Sequence, residues 1–424
     1  MTRNIAVIGS GAREHALVAA LRRSGSGIRI VTYPGNDGME DVERAGELPA
    51  DPLSGARMIA EAKVDMAIIG PEKPLMDGLG NALRQRGIPV VGPDQEAARI
   101  EGSKVFAKEL MQRVGIPTAP WQKVSGREEA KEVLKKWGLP LVIKADGLAQ
   151  GKGVAVVKTM EDWELALARY FDRKEIPGGE TVLIETCLSG PEVSFIVVTD
   201  GKRFVPFPTA RDYKRVFDGD QGPNTGGMGV LTPVPGWTPA NQERANEIIE
   251  RCLWGLSKAG TPFSGFLYAG LMITDEGPSV LEFNARMGDP EAQVLFDILG
   301  ENALPLFEEV ANGSIVSNWS LPSLPRVGVV LASRGYPEKP VLDDPLEGIP
   351  GHDQRSPEGE IYFAGVKRVS GTFVSSGGRV LTAVGRGESL GEARSRAYRL
   401  IEGIRLPGGH FRKDIARKES GGEG

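Results

Sequence analysis

Four apolar residues, Ile5-Ala6-Val7-Ile8, run directly into Gly9-Ser10-Gly11-Ala12-Arg13-Glu14-His15. No other stretch constrains the fold as strongly. The apolar run has the length of a strand buried on both faces, and a helical pattern from Glu14 to Arg23 follows it. Similar runs recur at Ile28 to Val31, Met66 to Gly70 and Pro89 to Gly92. This rhythm predicts βαβ units and a parallel sheet whose functional loops lie beyond the C-terminal ends of its strands. The glycines let backbone approach a ligand, and free N–H groups at the helix start favour an anion. A dinucleotide site is the obvious reading, but Glu14 stands at the third glycine position. The stretch Tyr33-Pro34-Gly35-Asn36 also lacks the carboxylate that would bind a ribose. Arg13 suits a phosphate monoester better, and a tight turn with a solvated arginine is the plain alternative.

The chain has 424 residues, which implies about three domains. From about residue 101 the pattern changes to α+β with antiparallel sheet. Ser125-Gly126-Arg127-Glu128 reads as a capping box, Ala130, Val133, Leu134 and Trp137 form one helical face, and Gly138 and Pro140 end it. Strands are expected from Leu141 to Ala145 and from Val154 to Val157, around a glycine-rich loop. Hairpins are expected at Asp200-Gly201, after Val193 to Val198, and at Asp275-Glu276-Gly277, between Leu267 to Ile273 and Val280 to Phe283. Leu321-Pro322-Ser323-Leu324-Pro325 has the composition of a linker. Beyond it, Val327 to Leu331, Ile361 to Phe363 and Arg379 to Val384 read as strands, Ser389 to Ile404 as a helix, and Gly421 to Gly424 as a disordered tail.

Composition narrows the function. The 51 basic and 56 acidic residues leave a net charge of −5, which argues against nucleic acid as a main partner. Cys187 and Cys252 cannot make a disulfide framework, and His15, His352 and His410 are too scattered for a histidine-built metal site. The N-terminus lacks the apolar length of a signal peptide and no window approaches a membrane span, so the expected compartment is cytoplasmic.

Three further constellations carry chemistry. Lys144-Ala145-Asp146-Gly147-Leu148-Ala149-Gln150-Gly151-Lys152-Gly153 contains GK but misses the Walker A spacing and its Ser/Thr. Between antiparallel strands such a loop can close over a triphosphate, with backbone N–H groups and Lys152 as donors. Lys144 lies in an apolar strand, where a lysine is costly unless its head reaches an anion. In Leu281-Glu282-Phe283-Asn284, alternation puts Glu282 and Asn284 on one face and packs Leu281 and Phe283 on the other. Two oxygen ligands so spaced can hold Mg²⁺, with Arg286 and Asp289 continuing the polar run. Finally, in Arg211-Asp212-Tyr213-Lys214-Arg215, Lys214 and Arg215 supply a cationic cluster beside Gly222-Pro223-Asn224-Thr225-Gly226-Gly227-Met228-Gly229, whose N–H groups can face a ligand. A solvated polar edge and a flexible charged loop are the bland readings of these last two.

Together the strings GSGAREHAL, GPEKPL, EGSKVFAK, VIKADGLAQGKGVAV, GPNTGGMG, GFLYAGLM, LEFNARMGDPEAQ and GVVLASRGYP closely resemble the phosphoribosylamine–glycine ligase family, in order and over essentially the whole chain. The resemblance implies an α/β and α+β multidomain fold: a Rossmann-like preATP-grasp domain over 1–100, an ATP-grasp core over 101–320 with a lid at about 121–190, and a small C-terminal α+β domain over 326–424. It implies ATP contacts at Lys104, Lys144, Gly151, Lys152, Gly153, Glu185, Thr186, Leu188 and Glu192, with adenine held by the hinge backbone and ribose by Glu192. Metal ligands for Mg²⁺ or Mn²⁺ fall on Glu282 and Asn284. Gly9, Gly11, Arg13, Glu14, Glu72, Asn224, Gly226 and Asp289 fall on the substrate side, and Asp212, Lys214 and Arg286 near the reacting groups. Cys187 is expected to be a small packing residue.

The implied reaction joins glycine to phosphoribosylamine through glycyl phosphate, with ATP consumed. The expected partners are these small molecules and, transiently, the enzyme that produces phosphoribosylamine, with no nucleic acid and no membrane. One departure stands out: the family's usual Ser-Gln-Asp-His-Lys-Arg run is Ala210-Arg211-Asp212-Tyr213-Lys214-Arg215 here. Tyr268-Ala269-Gly270-Leu271-Met272 also offers no carboxylate for a second metal. Rival readings are another carboxylate–amine ligase or transformylase of nucleotide synthesis, an NAD-dependent dehydrogenase, and a non-catalytic nucleotide-binding regulator.

Overall fold

The computed structural model describes residues 3–147, 153–176, 178–349 and 356–421. At the N-terminus, the expected βαβ rhythm gives a parallel five-stranded sheet in the order Glu43–Arg44, Ile28–Pro34, Arg3–Gly9, Met66–Ile69, Val90–Val91. Its central strand is apolar on both faces because helices cover both, and Ile5, Ala6, Val7 and Ile8 are all buried. The first helix spans Ala12–Arg23 and so starts two residues before Glu14. The reason is local: the Glu14 carboxylate reaches back to accept the Gly11 N–H at 2.7 Å, which closes the first turn.

The core sheet is antiparallel, in the order Phe204–Pro206, Glu192–Thr199, Gly265–Thr274, Gly277–Asn284. It joins the N-terminal sheet through a continuous apolar core in which Ile8, Leu75 and Val90 pack with Phe195, Leu267 and Phe283. The approach is close at Gly265, whose φ is +116°, and a Cβ there would lie 2.7 Å from the Gly92 backbone. Only glycine fits that contact. A second antiparallel sheet, Trp121–Val124, Val182–Thr186, Leu141–Ala145, Val154–Val157, carries its own apolar core of Val124, Ala130, Ile143, Trp163 and Tyr170. The expected capping box at Ser125 does not form. Gly126 caps the helix Arg127–Trp137, and the Ser125 N–H donates instead to Glu129 at 2.7 Å.

The remaining large sheet crosses the linker. Its order is Arg211–Asp212, Gly229–Thr232, Arg326–Ala332, Arg379–Arg386, Gly359–Phe363, so two strands before Leu321–Pro325 pair with three after it. Helix Leu390–Glu402 covers it. Among the described residues no helix is long and apolar enough to cross a membrane.

One buried carboxylate ties these parts together. Asp297, on helix Glu291–Leu299, accepts from Arg326 Nε at 2.6 Å, Arg386 Nη2 at 2.5 Å and the Tyr362 hydroxyl at 3.0 Å. Arg23 of the first helix reaches it at 3.9 Å and Glu360 at 2.9 Å. Burial opposes the charge of Asp297, but hydrogen bonding from Arg386, with Arg23 and Arg326, outweighs it and holds the carboxyl at about 2. A carboxyl depressed from its unfolded value of about 3.9 adds stability above that pH, which is lost as the pH falls towards about 2. Asp297→Asn should therefore cost about 3–5 kcal/mol at neutral pH by stranding buried guanidinium groups. It should also flatten the acid limb of stability below about pH 4. Denaturant unfolding across pH checks both, and an unchanged acid limb would show that Asp297 is not the group that titrates.

Candidate functional site

The N-terminal sheet, core sheet, second antiparallel sheet and linker-crossing sheet surround one cavity of about 1730 Å³. Every expected site residue within the described set lines it: Gly9, Gly11, Arg13, Glu14, Glu72, Lys104, Lys144, Gly153, Glu185, Thr186, Leu188, Glu192, Asp212, Lys214, Asn224, Gly226, Glu282, Asn284, Arg286 and Asp289. Gly151 and Lys152 lie outside the described residues, as do His352 and the end of the tail, 422–424.

At one end stands a buried triad that the sequence reading did not find whole. The Glu185 carboxylate receives Lys108 at 2.9 Å and Lys144 at 3.0 Å, and Lys108 also donates to Thr118 at 2.7 Å. Lys144 thus finds its anion inside the protein, and it donates as well to the Leu281 carbonyl at 3.0 Å. Burial pulls the Lys108 ammonium down to about 8, against the attraction of Glu185. The other oxygen of Glu185, Oε1, is buried without a partner, so a hydrogen-bond donor from a ligand would satisfy it. Val142, Val154 and Val156 add an apolar wall, and Cys187 faces the same space rather than a packed interior. Lys104 opens the helix Lys104–Val114 and donates to the Gly147 carbonyl at 3.0 Å.

Glu282 and Asn284 sit at the end of the strand Gly277–Asn284. Pairing with Gly265–Thr274 slips between Gly270 and Leu271, so Glu282 faces Gly270 while Val280 faces Leu271. This bulge corrects the expected simple alternation: both residues line the cavity, but Leu281 is only half-buried there while Phe283 is buried in the core. Burial works against ionising Glu282, but Lys214, Lys144, Lys104 and Arg286 outweigh it and hold its carboxyl below the usual range. An ionised carboxylate with an amide oxygen two residues on is a donor set that suits a hard divalent cation. Among the described residues no group of three or more His, Cys, Asp or Glu side chains is arranged to hold a metal. Such a cation would therefore need ligand oxygens to complete its shell.

Next to this pair, Lys214 is hydrogen-bonded to Glu192 and is not the free partner of an Arg215 cluster. Arg215 lines the same cavity and donates to the Gly222 carbonyl at 2.7 Å. Burial disfavours the Lys214 charge, yet Asp212 and Glu192 raise its affinity for a proton well above the ordinary value. Burial raises the Asp212 carboxyl, opposed by Lys214 and reinforced by Glu291 and Glu192. Behind them, Ser194 donates to buried Glu291 at 2.8 Å and shares a 3.0 Å hydrogen bond with Tyr268.

The N-terminal turn faces this group from across the cavity. The Glu14 oxygens hold the Gly11 N–H and Arg13 Nε, the latter at 2.6 Å. Arg286 bridges Glu101 at 3.0 Å and Glu72 at 3.5 Å, and Glu101 also accepts the Ala285 N–H at 2.8 Å. Asp289 is met by Arg379 at 3.0 Å and Gln293 at 2.8 Å. Arg379 also donates to the Gly226 carbonyl at 2.7 Å. Sequence reasoning missed Lys108, Glu101, Arg379 and the wall formed by Arg412, Asp414 and Arg417 to Glu419. The string EGSKVFAK contains the first two, but nothing in it marks their burial.

Three family models match in order: phosphoribosylglycinamide synthetase N domain over residues 3–101, its ATP-grasp (A) domain over 102–292 and its C domain over 326–418. A phosphoribosylamine–glycine ligase of Mesorhizobium japonicum is 41% identical over 418 residues, 97% of each chain. The crystal structure of a phosphoribosylamine–glycine ligase from Thermotoga maritima superposes with a TM-score of 0.84 at 37% identity, covering 97% of this chain and all (100%) of that one. The biotin carboxylase domain of a Hydrogenobacter thermophilus 2-oxoglutarate carboxylase, solved with MgADP, ADP and bicarbonate, shares the fold at a TM-score of 0.73 and 16% identity, covering 97% of this chain and 92% of that one. The chain belongs to the phosphoribosylglycinamide synthetase family, also called phosphoribosylamine–glycine ligase.

Proposed function

We propose that this chain joins glycine to 5-phospho-D-ribosylamine, converting ATP to ADP and phosphate, in the cytoplasm and as a step of purine synthesis. The observation that carries the reading is the meeting, in one cavity, of Glu282 and Asn284 with Lys104, Lys144 and Lys214, opposite the Gly9–Glu14 turn. Residues 1–100, 101–320 and 326–424 are the corresponding domains, with the lid at about 121–190.

In this reading ATP lies between the second antiparallel sheet and the core sheet. The Thr186 to Leu188 backbone and the open oxygen of Glu185 meet adenine, Glu192 meets ribose, and Lys104, Lys144 and the Gly151-Lys152-Gly153 loop meet the phosphates. Glu282 and Asn284 would hold Mg²⁺ or Mn²⁺, which neutralises phosphate charge when bound. A glycine carboxylate oxygen attacks the γ-phosphorus, ADP leaves, and glycyl phosphate forms. The amine nitrogen of phosphoribosylamine then attacks the acyl carbon, phosphate departs, and the nitrogen loses a proton. Lys214, kept charged by its carboxylate neighbours, and Arg286 stabilise the anionic groups, with Asp212 orienting Lys214. Gly9, Gly11, Arg13, Glu14, Glu72, Asn224, Gly226 and Asp289 shape the phosphoribosylamine end, where Glu14 acts by fixing Arg13 and Gly11. Acyl phosphates hydrolyse readily, and a sheet with its own apolar core is suited to close as a lid and exclude water. The instability of phosphoribosylamine likewise supports direct transfer from the enzyme that makes it, and unchanged product yield on dilution of the two enzymes would be the supporting result.

Supplied with ATP, Mg²⁺, glycine and fresh phosphoribosylamine, the protein should form glycinamide ribonucleotide, detected by mass. Glu282→Ala should lower kcat by about 10²–10³-fold. ADP released without that product would retire the substrates and keep the ATP chemistry. Lys108→Met should raise the KM for ATP about tenfold or more with little change in kcat, because it acts on the ligand only through Glu185. Steady-state kinetics against ATP decides this, and an unchanged KM would remove Lys108 from the nucleotide site.

A further inference from the structure

We propose that Glu419 is a positioning residue that fixes, through Arg211 and Tyr213, the short segment presenting Asp212 and Lys214 to the cavity. Its catalytic consequences rest on the ligase reading above. The strand Arg211–Asp212 has two residues and lies at the edge of the linker-crossing sheet, where Arg211 pairs with Leu231 and Asp212 with Val230. Backbone bonds continue on either side of it, between Ala210 and Ser194 and from Tyr213 to Gly229 and Met228, and side chains add to them. Arg211 and Tyr213 line the cavity together with Asp212 and Lys214. The first pair meets one carboxylate: Arg211 Nη1 donates to Glu419 Oε1 at 2.7 Å and the Tyr213 hydroxyl to Oε2 at 2.9 Å.

Other groups complete the clamp. The Tyr213 hydroxyl accepts the Ala416 N–H at 3.0 Å, and the Arg412 guanidinium lies 5.1 Å from the Tyr213 ring centre. The Glu419 side chain is only 14% exposed, so its two hydrogen bonds are sheltered from water. The polar groups of Arg211 and Tyr213 are thus engaged by the C-terminal segment, and Arg211 Nε also donates at 3.3 Å to the carbonyl of Glu192, whose carboxylate meets Lys214.

The test is Glu419→Ala, read by hydrogen exchange without substrates and by kinetics. Amides of Tyr213, Thr225 and Met228, which bond to the carbonyls of Gly229, Lys214 and Tyr213, should exchange at least about tenfold faster, while those of Val7 and Ile68 stay protected. The kcat should fall about tenfold with the KM for ATP unchanged within about twofold, and Glu419→Gln, which keeps an acceptor, should recover part of it. Should Glu419→Ala fail to fold, Tyr213→Phe removes only the hydroxyl and should shift exchange and kcat in the same direction. Unchanged exchange around Tyr213, or equal acceleration at Val7 and Ile68, would overturn the proposal. A native protein that makes no glycinamide ribonucleotide would overturn the ligase reading, and the exchange result would still decide the role of Glu419.

Discussion

Asp297 has no exposed side-chain surface, yet it is charged and stands in a helix that is otherwise core. Removing a carboxylate from water costs several kcal/mol, and only dense compensation makes that tolerable. Here the compensation comes from Arg23 on the first helix and from Arg326, Arg386 and Tyr362 on the linker-crossing sheet. The N-terminal, central and C-terminal parts therefore share one electrostatic fastening in addition to their apolar contacts. Against this frame, the sheet containing Leu141–Ala145 stands apart with a core of its own.

The cavity inherits the same logic of paired charge. Arg13 meets Glu14, Arg286 meets Glu101 and Glu72, Arg379 meets Asp289, and Lys108 and Lys144 share Glu185. A chain of net charge −5 thus gathers cations into its cavity by holding most of them beside carboxylates, while Lys104 and Arg215 rest on carbonyls. An incoming phosphate has to compete for lysines already partnered, which favours ligands that bring a cation with them.

How far the sequence could be read depended on how local each feature is. The strand at Ile5–Ile8, the glycine turn after it and the Glu282–Asn284 pair are written in consecutive residues, and they landed on one cavity. Lys108 could not be read as buried, because its partner Glu185 lies 77 positions away and a lysine on a helix has the pattern of a surface residue. Leu281 misled because a bulge depends on the partner strand, and alternation along one strand carries no sign of it. Ser125 misled because Glu129 offered its backbone N–H a better acceptor. The pairing of Gly229–Thr232 with Arg326–Ala332 was equally hidden, since cross-strand register is fixed by packing rather than by either segment alone.

That last pairing bears on how the molecule can be divided. Leu321–Pro325 reads as a tether between independent beads, yet the strands it separates lie edge to edge, with Gly229 opposite Val329 and Thr232 opposite Arg326. The tether is a covalent stitch across a surface already sewn by hydrogen bonds. A break in it would leave two fragments able to reassemble by strand complementation, whereas transplanting either fragment alone would carry away an open sheet edge. The sheet, and not the linker, therefore marks which segments belong together.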